Sequence, residues 1–476
     1  MASVHAHYSP WAGTWYPGDV SELEHLLSAA LQGAVTKMGS YVRPGGRAFL
    51  VPHAAPSWSG GVAASAYRHV KESGAARVII LGFSHRQVVH GIAVPDLDRI
   101  GTPLGAIQVD RTAADALSSS QPFHSVPGNL VCDHSCEIQL PFLQTLLPGA
   151  AVLPLYVGRL TPAQRQAAAK ALRERLDTRT VLIASSDLTH YGRDFDYLPF
   201  EAGASTPGLL SALDMGVLTA AGSLDAALFR QKLSETGATV CGAEPIQLLL
   251  ETLAGLDVET FQEILDYDTS GAIGGDYRHS VSYGAAGYFP AAAWELASPD
   301  QAALLEGARR ALDHFRHKRD RQLPEPLAAP ALQQRGRAFV TLFERGSVRG
   351  CVGCFETPQV LAECVPQLAV DACGDPRFGP IQDWDALEIE VHLLTPPKRI
   401  ADPRQFRIGE HGAFLKAGGH KGLLLPAVAR RHQLSHDEFL KALARKAGVP
   451  DSVYSGSNWE LAVFRDQSFK EGEQAA

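Results

Sequence analysis

The chain has 476 residues, of which 45% are hydrophobic and 20% charged, and its formal net charge is -8. Single hydrophobic cores stop growing at about 250–300 residues, so we expect at least two domains. The negative net charge argues against a general binder of nucleic acids or membrane surfaces. No run approaches the roughly 18 apolar residues that a membrane span requires, so no membrane association is predicted.

Seven cysteines are scattered along the chain, an odd number without the spacing of a disulfide framework. This usage is typical of a reducing compartment. The N-terminal residues lack the charged segment followed by an apolar segment that marks a signal peptide. We therefore expect a soluble, cytoplasmic protein.

Strand-like and helix-like segments alternate from the N-terminus to about residue 290. The predicted strands are residues 48–53, 77–85, 151–157, 180–187 and a closing strand at 280–289. The predicted helices are residues 20–32, 137–147, 162–176, 208–220 and 245–256. This alternation predicts an α/β domain over residues 1–290 with a largely parallel sheet.

Three of these strands lead directly into residues that can bind metals or transfer protons. His53 and His85 each follow an apolar run, and Asp187 ends another, with His190 three residues further on. In open α/β sheets, ligands bind beyond the carboxyl ends of the strands. A single histidine is more often structural, but two at equivalent strand ends predict that these side chains converge on a metal centre or an acid/base pocket.

The segment Cys132–Glu137 precedes a predicted helix and is rich in reactive side chains. Ser135 is a candidate N-cap, which would place Asp133 and His134 at the helix N-terminus, where the helix dipole favours negative charge. Cys132 and Cys136 have no second cysteine or histidine pair at zinc-finger spacing, so the sequence gives little support for a structural zinc site there.

Cys241 lies just before another predicted helix, whose start is marked by Pro245. A thiol at a helix N-terminus can have a lowered pKa and become a better metal ligand or nucleophile. A buried, inert cysteine is the alternative interpretation of the same pattern.

A second domain is predicted over residues 298–470. A helix begins near Ser298 or Asp300 and continues to about residue 317, and a loop follows over residues 318–335. Strands are predicted at 337–344, 348–354 and 387–394, and helices at 357–373 and 435–447. These elements indicate an α+β fold, and residues 421–426 are interpreted as a turn.

A glycine-rich strand carries the candidate cleft of this second domain. Gly350 and Gly353 would allow close backbone approach by a ligand or a partner, and Arg349 could hold a carboxylate or phosphate. Cys351 belongs to the same candidate cleft. Simple packing of a glycine-rich strand is the alternative.

Ordered motifs in both halves resemble known families. Residues from about 7 to 289 resemble the Memo family in the segments Gly13-Thr-Trp-Tyr-Pro-Gly18, Val51-Pro-His-Ala54, Leu81-Gly-Phe-Ser-His85, Asp133-His-Ser-Cys-Glu-Ile-Gln-Leu-Pro-Phe142, Ser185-Ser-Asp-Leu-Thr-His-Tyr-Gly192, Cys241-Gly242 and Ser280-Val-Ser-Tyr-Gly284. Residues from about 300 to 466 resemble the AMMECR family in the segments Val348-Arg-Gly-Cys-Val-Gly353, Asp375-Pro-Arg-Phe378, Glu390-Val-His-Leu-Leu-Thr-Pro-Pro397 and Leu423-Leu-Leu-Pro426.

The Memo resemblance implies a fold similar to the class III extradiol dioxygenases, which hold a non-haem iron with histidines and a carboxylate. Carried over by motif, the metal ligands would be His53, His85 and Cys241. This softer ligand set suits copper as well as iron, and an iron or copper oxidoreductase is implied. The catalytic residues lining the same pocket would be His134, Asp187 and His190.

The two families are known together with a radical SAM protein as the AmmeMemoRadiSam system, and this chain looks like a fusion of its B and A components. The resemblance therefore implies a redox-active metal protein that works with a radical SAM partner on a small molecule or peptide. The alternative is a non-catalytic scaffold whose pocket binds a peptide or metabolite.

Overall fold

The computed structural model describes residues 5–318 and 327–472. The chain forms two compact units, the first comprising the residues up to Met38 together with Pro44–Pro290. The second comprises Gly39–Arg43 together with the residues from Ala291 onwards. Residues 319–326 of the predicted loop lie outside the described residues. Among the residues described, no helix combines the length and apolar character needed to cross a membrane.

The first unit is built on a mixed β-sheet. Its strands are β1 (Ala6–Tyr8), β2 (Ala48–Val51), β3 (Arg77–Gly82), β4 (Ile92–Asp96), β5 (Arg99–Thr102), β6 (Gly105–Gln108), β7 (Phe123–Pro127), β8 (Ala151–Val157), β9 (Thr180–Ser185), β10 (His190–Gly192), β11 (Thr260–Thr269) and β12 (His279–Pro290). The main sheet has the order β10-β12-β2-β9-β3-β8-β4-β7, with β11 paired to β12, and β1-β5-β6 form a small separate sheet.

The centre of the main sheet is parallel, as predicted, because β2, β9, β3 and β8 run in one direction. Antiparallel pairs flank this centre: β12 runs against β2, and β4 runs against β8. The sheet is therefore mixed rather than largely parallel. Strands β2 and β9 are buried along their whole length, which explains their uninterrupted apolar sequences. Because β2, β9 and β3 are adjacent and parallel, their carboxyl ends share one edge.

Helices cover the sheet of the first unit. They are α1 (Val20–Met38), α2 (Pro56–Glu72), α3 (Arg111–Ser118), α4 (Gly128–Val131), α5 (His134–Glu137), α6 (Leu140–Leu146), α7 (Pro162–Arg173), α8 (Thr206–Ala221), α9 (Ala226–Thr236), α10 (Ala243–Ala254) and α11 (Ser270–Gly274). Leu249 of α10 and Ala169 of α7 pack with Ile79 and Leu182 of the sheet in one buried apolar cluster. The predicted α/β class of this unit is confirmed.

Two local predictions in the first unit were wrong. The helix predicted over 137–147 is split into α5 and α6, because the ring of Pro141 would clash with the carbonyl of Glu137 in a continuous helix. The N-cap of α5 is Asp133 rather than Ser135, since the Asp133 side chain accepts a hydrogen bond from the Ser135 backbone N–H.

The second unit contains two antiparallel sheets. Its strands are β13 (Arg335–Glu344), β14 (Ser347–Val360), β15 (Leu387–Leu394), β16 (Lys398–Ile400), β17 (Gly412–Ala417), β18 (His420–Leu424), β19 (Trp459–Phe464) and β20 (Asp466–Lys470). Its helices are α12 (Ser298–Lys318), α13 (Leu361–Ala372), α14 (Pro426–His432) and α15 (His436–Ala447). One sheet has the order β14-β13-β15-β20 and the other β16-β19-β17-β18.

Each sheet of the second unit has its own apolar core. Leu304 of α12 and Val365 of α13 pack with Val340 and Ile389 of the first sheet. Residues of α15, including Phe439, pack on the second sheet. The predicted α+β class is confirmed. Residues 421–426, predicted as a turn, lie mostly in strand β18, and helix α13 begins four residues later than predicted because β14 continues to Val360.

Candidate metal centre

His53 lies just beyond the end of β2, at the edge shared with β9 and β3. It is 1% exposed, and its Nδ1 lies 3.0 Å from the Ser185 hydroxyl at the end of β9. The Ser185 hydroxyl donates its proton to the Ser135 carbonyl, so it can only accept from His53. The hydrogen of His53 is therefore on Nδ1. Its Nε2 is left as a bare acceptor, 3.3 Å from the Cys241 sulfur.

His85 is oriented by a buried carboxylate. Its backbone N–H donates to Asp133 Oδ2 at 3.1 Å, and its Nδ1 lies 2.8 Å from Asp133 Oδ1. Burial opposes ionisation of Asp133, but hydrogen bonds from His85 and Ser135 and the nearby His134 hold its pKa below the ordinary value. An ionised carboxylate only accepts, so Nδ1 carries a hydrogen and Nε2 lies outside this hydrogen bond. Such an outer carboxylate is the usual partner of a metal-binding histidine.

Cys241 reaches the two histidines because of a close contact between chain segments. Gly242 is the N-cap of α10, and its N–H donates to the Ser186 hydroxyl at 2.9 Å. A Cβ on Gly242 would lie 2.5 Å from the Ser186 Cβ, so only glycine permits this approach. The predicted position at a helix N-terminus is therefore correct. Burial, together with the Asp187 carboxylate, nevertheless raises the thiol pKa instead of lowering it.

The ligand atoms of His53, His85 and Cys241 all lie within 4.8 Å of one another. Ligands bound tetrahedrally at about 2.0–2.3 Å from a metal are themselves about 3.3–3.8 Å apart, so small side-chain movements would complete a site. Burial, and then the neighbouring His85, lowers the pKa of His53 to about 3. The imidazole is therefore neutral, which is the form that binds metals. The residues present fit iron or copper.

His134 lies beside these three residues. Its ring stacks on that of His85, with the centroids 4.1 Å apart and the planes at 22°, and Trp15 covers it at 4.1 Å. Burial, and then His53, lowers its pKa to about 3. Its buried Nδ1 lies 3.2 Å from Asp133 Oδ1, although no hydrogen bond of good geometry to it is formed among the described residues.

Asp187 and His190 are both held by backbone groups. Oδ1 of Asp187 accepts from the N–H groups of His53 at 2.8 Å and Ala54 at 3.2 Å. Burial raises its pKa, while these hydrogen bonds and the nearby His190 oppose the rise. The Nδ1 of His190 lies 3.0 Å from the Leu188 carbonyl oxygen, which fixes the hydrogen on that nitrogen.

A cleft opens onto one side of the cluster. It has a volume of about 640 Å³, and its lining includes Phe83, His85, Arg86, Arg159, Cys241 and Glu244. Clefts of roughly 300–1,000 Å³ are typical of sites for small molecules. Two of the three candidate ligands therefore face a space that a substrate could enter.

In the second unit, Arg349 is paired within the chain. Its Nε donates to Glu344 Oε2 at 2.5 Å, and this ion pair lowers the pKa of Glu344. The close approach at Gly350 is also internal, since a Cβ there would overlap the Ala372 carbonyl oxygen. The backbone N–H of Cys351 donates to Asp375 at 3.0 Å. These contacts favour packing over an external ligand as the reason for the glycine-rich strand.

The sequence pointed to the ligands but missed the residues that orient them. Asp133 was expected only at a helix N-terminus, and no role was assigned to Ser185. Both contacts are long-range: Asp133 is 48 residues from His85, and Ser185 is 132 residues from His53. The available signal was the run of polar residues that begins with Ser185, the last residue of the otherwise mostly apolar strand β9.

Comparisons with known proteins agree with this architecture. The family model described as "Memo-like protein" matches residues 8–287, and the model "AMMECR1" matches residues 305–469. A MEMO1 family protein of Methanobrevibacter smithii is 32% identical over 294 residues, which cover 58% of this chain and 97% of that protein. The memo-1 homolog of Caenorhabditis elegans is 28% identical over 289 residues, covering 59% of this chain and 81% of that protein.

Among solved structures, an uncharacterized protein of Pyrococcus horikoshii is 30% identical, with a TM-score of 0.34. The match covers 36% of this chain and 90% of that one. The Memo-like match spans more than half of the chain, and the AMMECR1 match follows it directly. The chain therefore belongs to the Memo-like family and carries an AMMECR1 domain after its Memo-like domain.

Proposed function

We propose that this protein is a cytoplasmic, redox-active metalloprotein of the AmmeMemoRadiSam system that works with a radical SAM partner. In this proposal, His53, His85 and Cys241 hold iron or copper. The observation that carries it is the convergence of three ligand atoms within 4.8 Å of one another. The metal, when bound, would supply Lewis acidity or electron transfer.

The protonation of the two histidines supports this proposal. Both carry their hydrogen on Nδ1, directed at Ser185 in one case and at Asp133 in the other. In both rings Nε2 is therefore the nitrogen left for a metal. Two histidines that only packed against each other would not need separate hydrogen-bond partners that place a hydrogen on Nδ1 of both rings. Metal-binding histidines are usually held in this way.

The ligand types support iron or copper over magnesium or calcium. Two imidazoles and a thiolate form a soft to intermediate set, whereas magnesium and calcium prefer oxygen ligands. The cleft beside His85 and Cys241 leaves room for a small molecule or a peptide segment. His134, whose ring stacks on that of His85, would hydrogen-bond this ligand, and Asp187 and His190 would hold or move protons nearby.

One observation favours the alternative of a non-catalytic scaffold. Asp187 Oδ1 is engaged by two backbone N–H groups, and His190 Nδ1 by a backbone carbonyl. Groups held in this way shape a loop as readily as they transfer protons. In the scaffold function, the same cleft would bind a peptide or metabolite without chemistry.

Anaerobic purification followed by elemental analysis tests the metal site. We expect about one iron or copper per chain, lost in the double variant His53→Ala/His85→Ala and retained in His90→Ala, which removes an exposed histidine from the same region. A folded protein without stoichiometric metal would contradict the proposal. Reversible reduction and reoxidation without metal loss separates the redox protein from the scaffold, and copurification under the same conditions tests the radical SAM partner.

A further inference from the structure

A second group of potential ligands lies in the first unit, apart from the three residues of the candidate metal centre. The ligand atoms of His7, Cys132 and Glu137 lie within 4.8 Å of one another. His7 belongs to strand β1, Cys132 precedes helix α5, and Glu137 ends that helix. None of these three residues has a role in the proposed function.

The Glu137 carboxylate is the strongest indication of a ligand. Its side chain is 0% exposed, and Oε1 lies 2.9 Å from His7 Nε2. Its other oxygen, Oε2, is fully buried and has no hydrogen-bond partner among the described residues. A buried carboxylate oxygen without a partner is costly and rare, so each instance requires an explanation. A bound cation next to Oε2 would supply the missing partner.

The chemistry of the three side chains favours Zn²⁺ over the hard cations Mg²⁺ and Ca²⁺. Imidazole nitrogen, thiolate sulfur and carboxylate oxygen are together the ligands of Zn²⁺, whereas Mg²⁺ and Ca²⁺ take oxygen ligands almost exclusively. Cys132 is 1% exposed, and burial, followed by the Glu137 carboxylate, raises its thiol pKa. Binding therefore requires the thiol to release one proton to solvent as the sulfur–metal bond forms.

We propose that His7, Cys132 and Glu137 form a second metal site that binds Zn²⁺ and is distinct from the His53/His85/Cys241 centre. The metal would connect strand β1 to the segment around α5, because its ligands are largely buried and come from both. The same segment contains Asp133, which orients His85, and His134, which stacks on it. The zinc would therefore hold both residues in place beside the candidate metal centre. The proposal does not depend on the function proposed above.

The test uses the full-length chain with the first centre disabled by His53→Ala/Cys241→Ser. After metal removal and reduction, Zn²⁺ is titrated against a chromophoric chelator. We expect about one Zn²⁺ per chain and a Zn²⁺-dependent rise in the thermal midpoint. Adding His7→Ala should weaken binding by at least about 10-fold, the minimum loss seen even for outer-shell partners. Adding His5→Ala, two residues earlier, should leave the affinity unchanged.

Cys132→Ser in the same background is a second, independent variant. X-ray absorption of the Zn²⁺ complex should show one sulfur neighbour at about 2.3 Å, which disappears in Cys132→Ser. Circular dichroism verifies that each variant is folded. Absence of Zn²⁺ binding in the folded parent would overturn the proposal and leave a water molecule as the partner of Oε2. Unchanged affinity in both His7→Ala and Cys132→Ser would overturn it equally.

Discussion

Replacing Asp133 by Asn removes the negative charge of this side chain and keeps nearly the same shape. Asp133 accepts from the N–H of His85 at 3.1 Å through Oδ2, and from His85 Nδ1 at 2.8 Å and the Ser135 N–H at 3.0 Å through Oδ1. In Asp133→Asn, the amide oxygen can keep the two contacts of Oδ1. The amide nitrogen then faces the His85 N–H, so two donors oppose each other and that hydrogen bond is lost.

Two magnitudes follow from this geometry. The His85 N–H is only partly buried, so its loss of an acceptor should cost at most about 1–3 kcal/mol of unfolding free energy, the range for fully buried groups. Loss of the carboxylate beside a metal-binding histidine typically weakens metal binding about 10- to 100-fold. We therefore expect Asp133→Asn to remain folded but to bind iron or copper more weakly than the wild type by this factor.

The assay is a competition between the protein and a chromophoric chelator under anaerobic conditions, combined with urea denaturation of the metal-free protein. Asp225→Asn is the matched control, because Asp225 caps helix α9 through the same type of hydrogen bond but lies outside the cluster. Wild-type metal affinity in a folded Asp133→Asn protein would refute the role assigned to this carboxylate.

Three further predictions concern the second unit. Burial lowers the pKa of His392, but its hydrogen bonds to Asp466 and Glu390 outweigh burial and raise that pKa. The protonated His392 should therefore stabilise the folded protein fully below the unfolded pKa of about 6.5, and this stabilisation should be lost as pH rises through the folded pKa. Urea denaturation at several pH values should show this dependence in the wild type and not in His392→Gln. Gly350→Ala should reduce stability by about 1–3 kcal/mol or more in urea denaturation, because its Cβ overlaps a backbone carbonyl. Oxidised glutathione should drive formation of a disulfide bond between Cys354 and Cys364, whose sulfurs are 3.0 Å apart, and peptide mapping without reduction should detect it.

Each of these predictions has an outcome that would contradict it. Identical pH dependence in the wild type and His392→Gln would show that the ion pair is not formed. Gly379→Ala is the control for Gly350→Ala, since no atom lies within 4 Å of its added Cβ, and equal effects would refute the packing argument. Two thiols lose two protons and two electrons as glutathione disulfide is reduced to two thiols. Free Cys364 after this treatment would show that the two sulfurs do not approach as described.

The convergence of His53, His85 and Asp187 could be anticipated because each follows an apolar run that reads as a buried parallel strand. The sequence could not give the strand order, in which β9 lies between β2 and β3 and brings the three ends to adjacent positions. Cys241 comes from a different type of segment, a loop before a helix. Only the family resemblance connected it with the histidines, since its approach depends on the contact between Gly242 and Ser186.

Local signals were missed where a tertiary contact or a short turn decides the structure. Strand β18 was interpreted as a turn, although Gly418-Gly419 between two apolar runs is a typical two-residue hairpin signal. Both glycines have positive φ, and Ala417 pairs with His420 across the turn. For Arg349 the sequence left two interpretations open, an external anion or packing of the glycine-rich strand. Its charge suggested an external anion, but its partner Glu344 lies only five residues earlier, across the turn between two paired strands.

The segment around α5 makes more long-range side-chain contacts than its sequence motif indicated. Asp133 caps the helix and orients His85, whereas Cys132 and Glu137, on either side of it along the chain, group with His7. A single helical turn is too short to be stable by itself, so its position depends on these side-chain contacts. The same six residues therefore contribute to two clusters of potential ligands, which no motif read along the chain would separate.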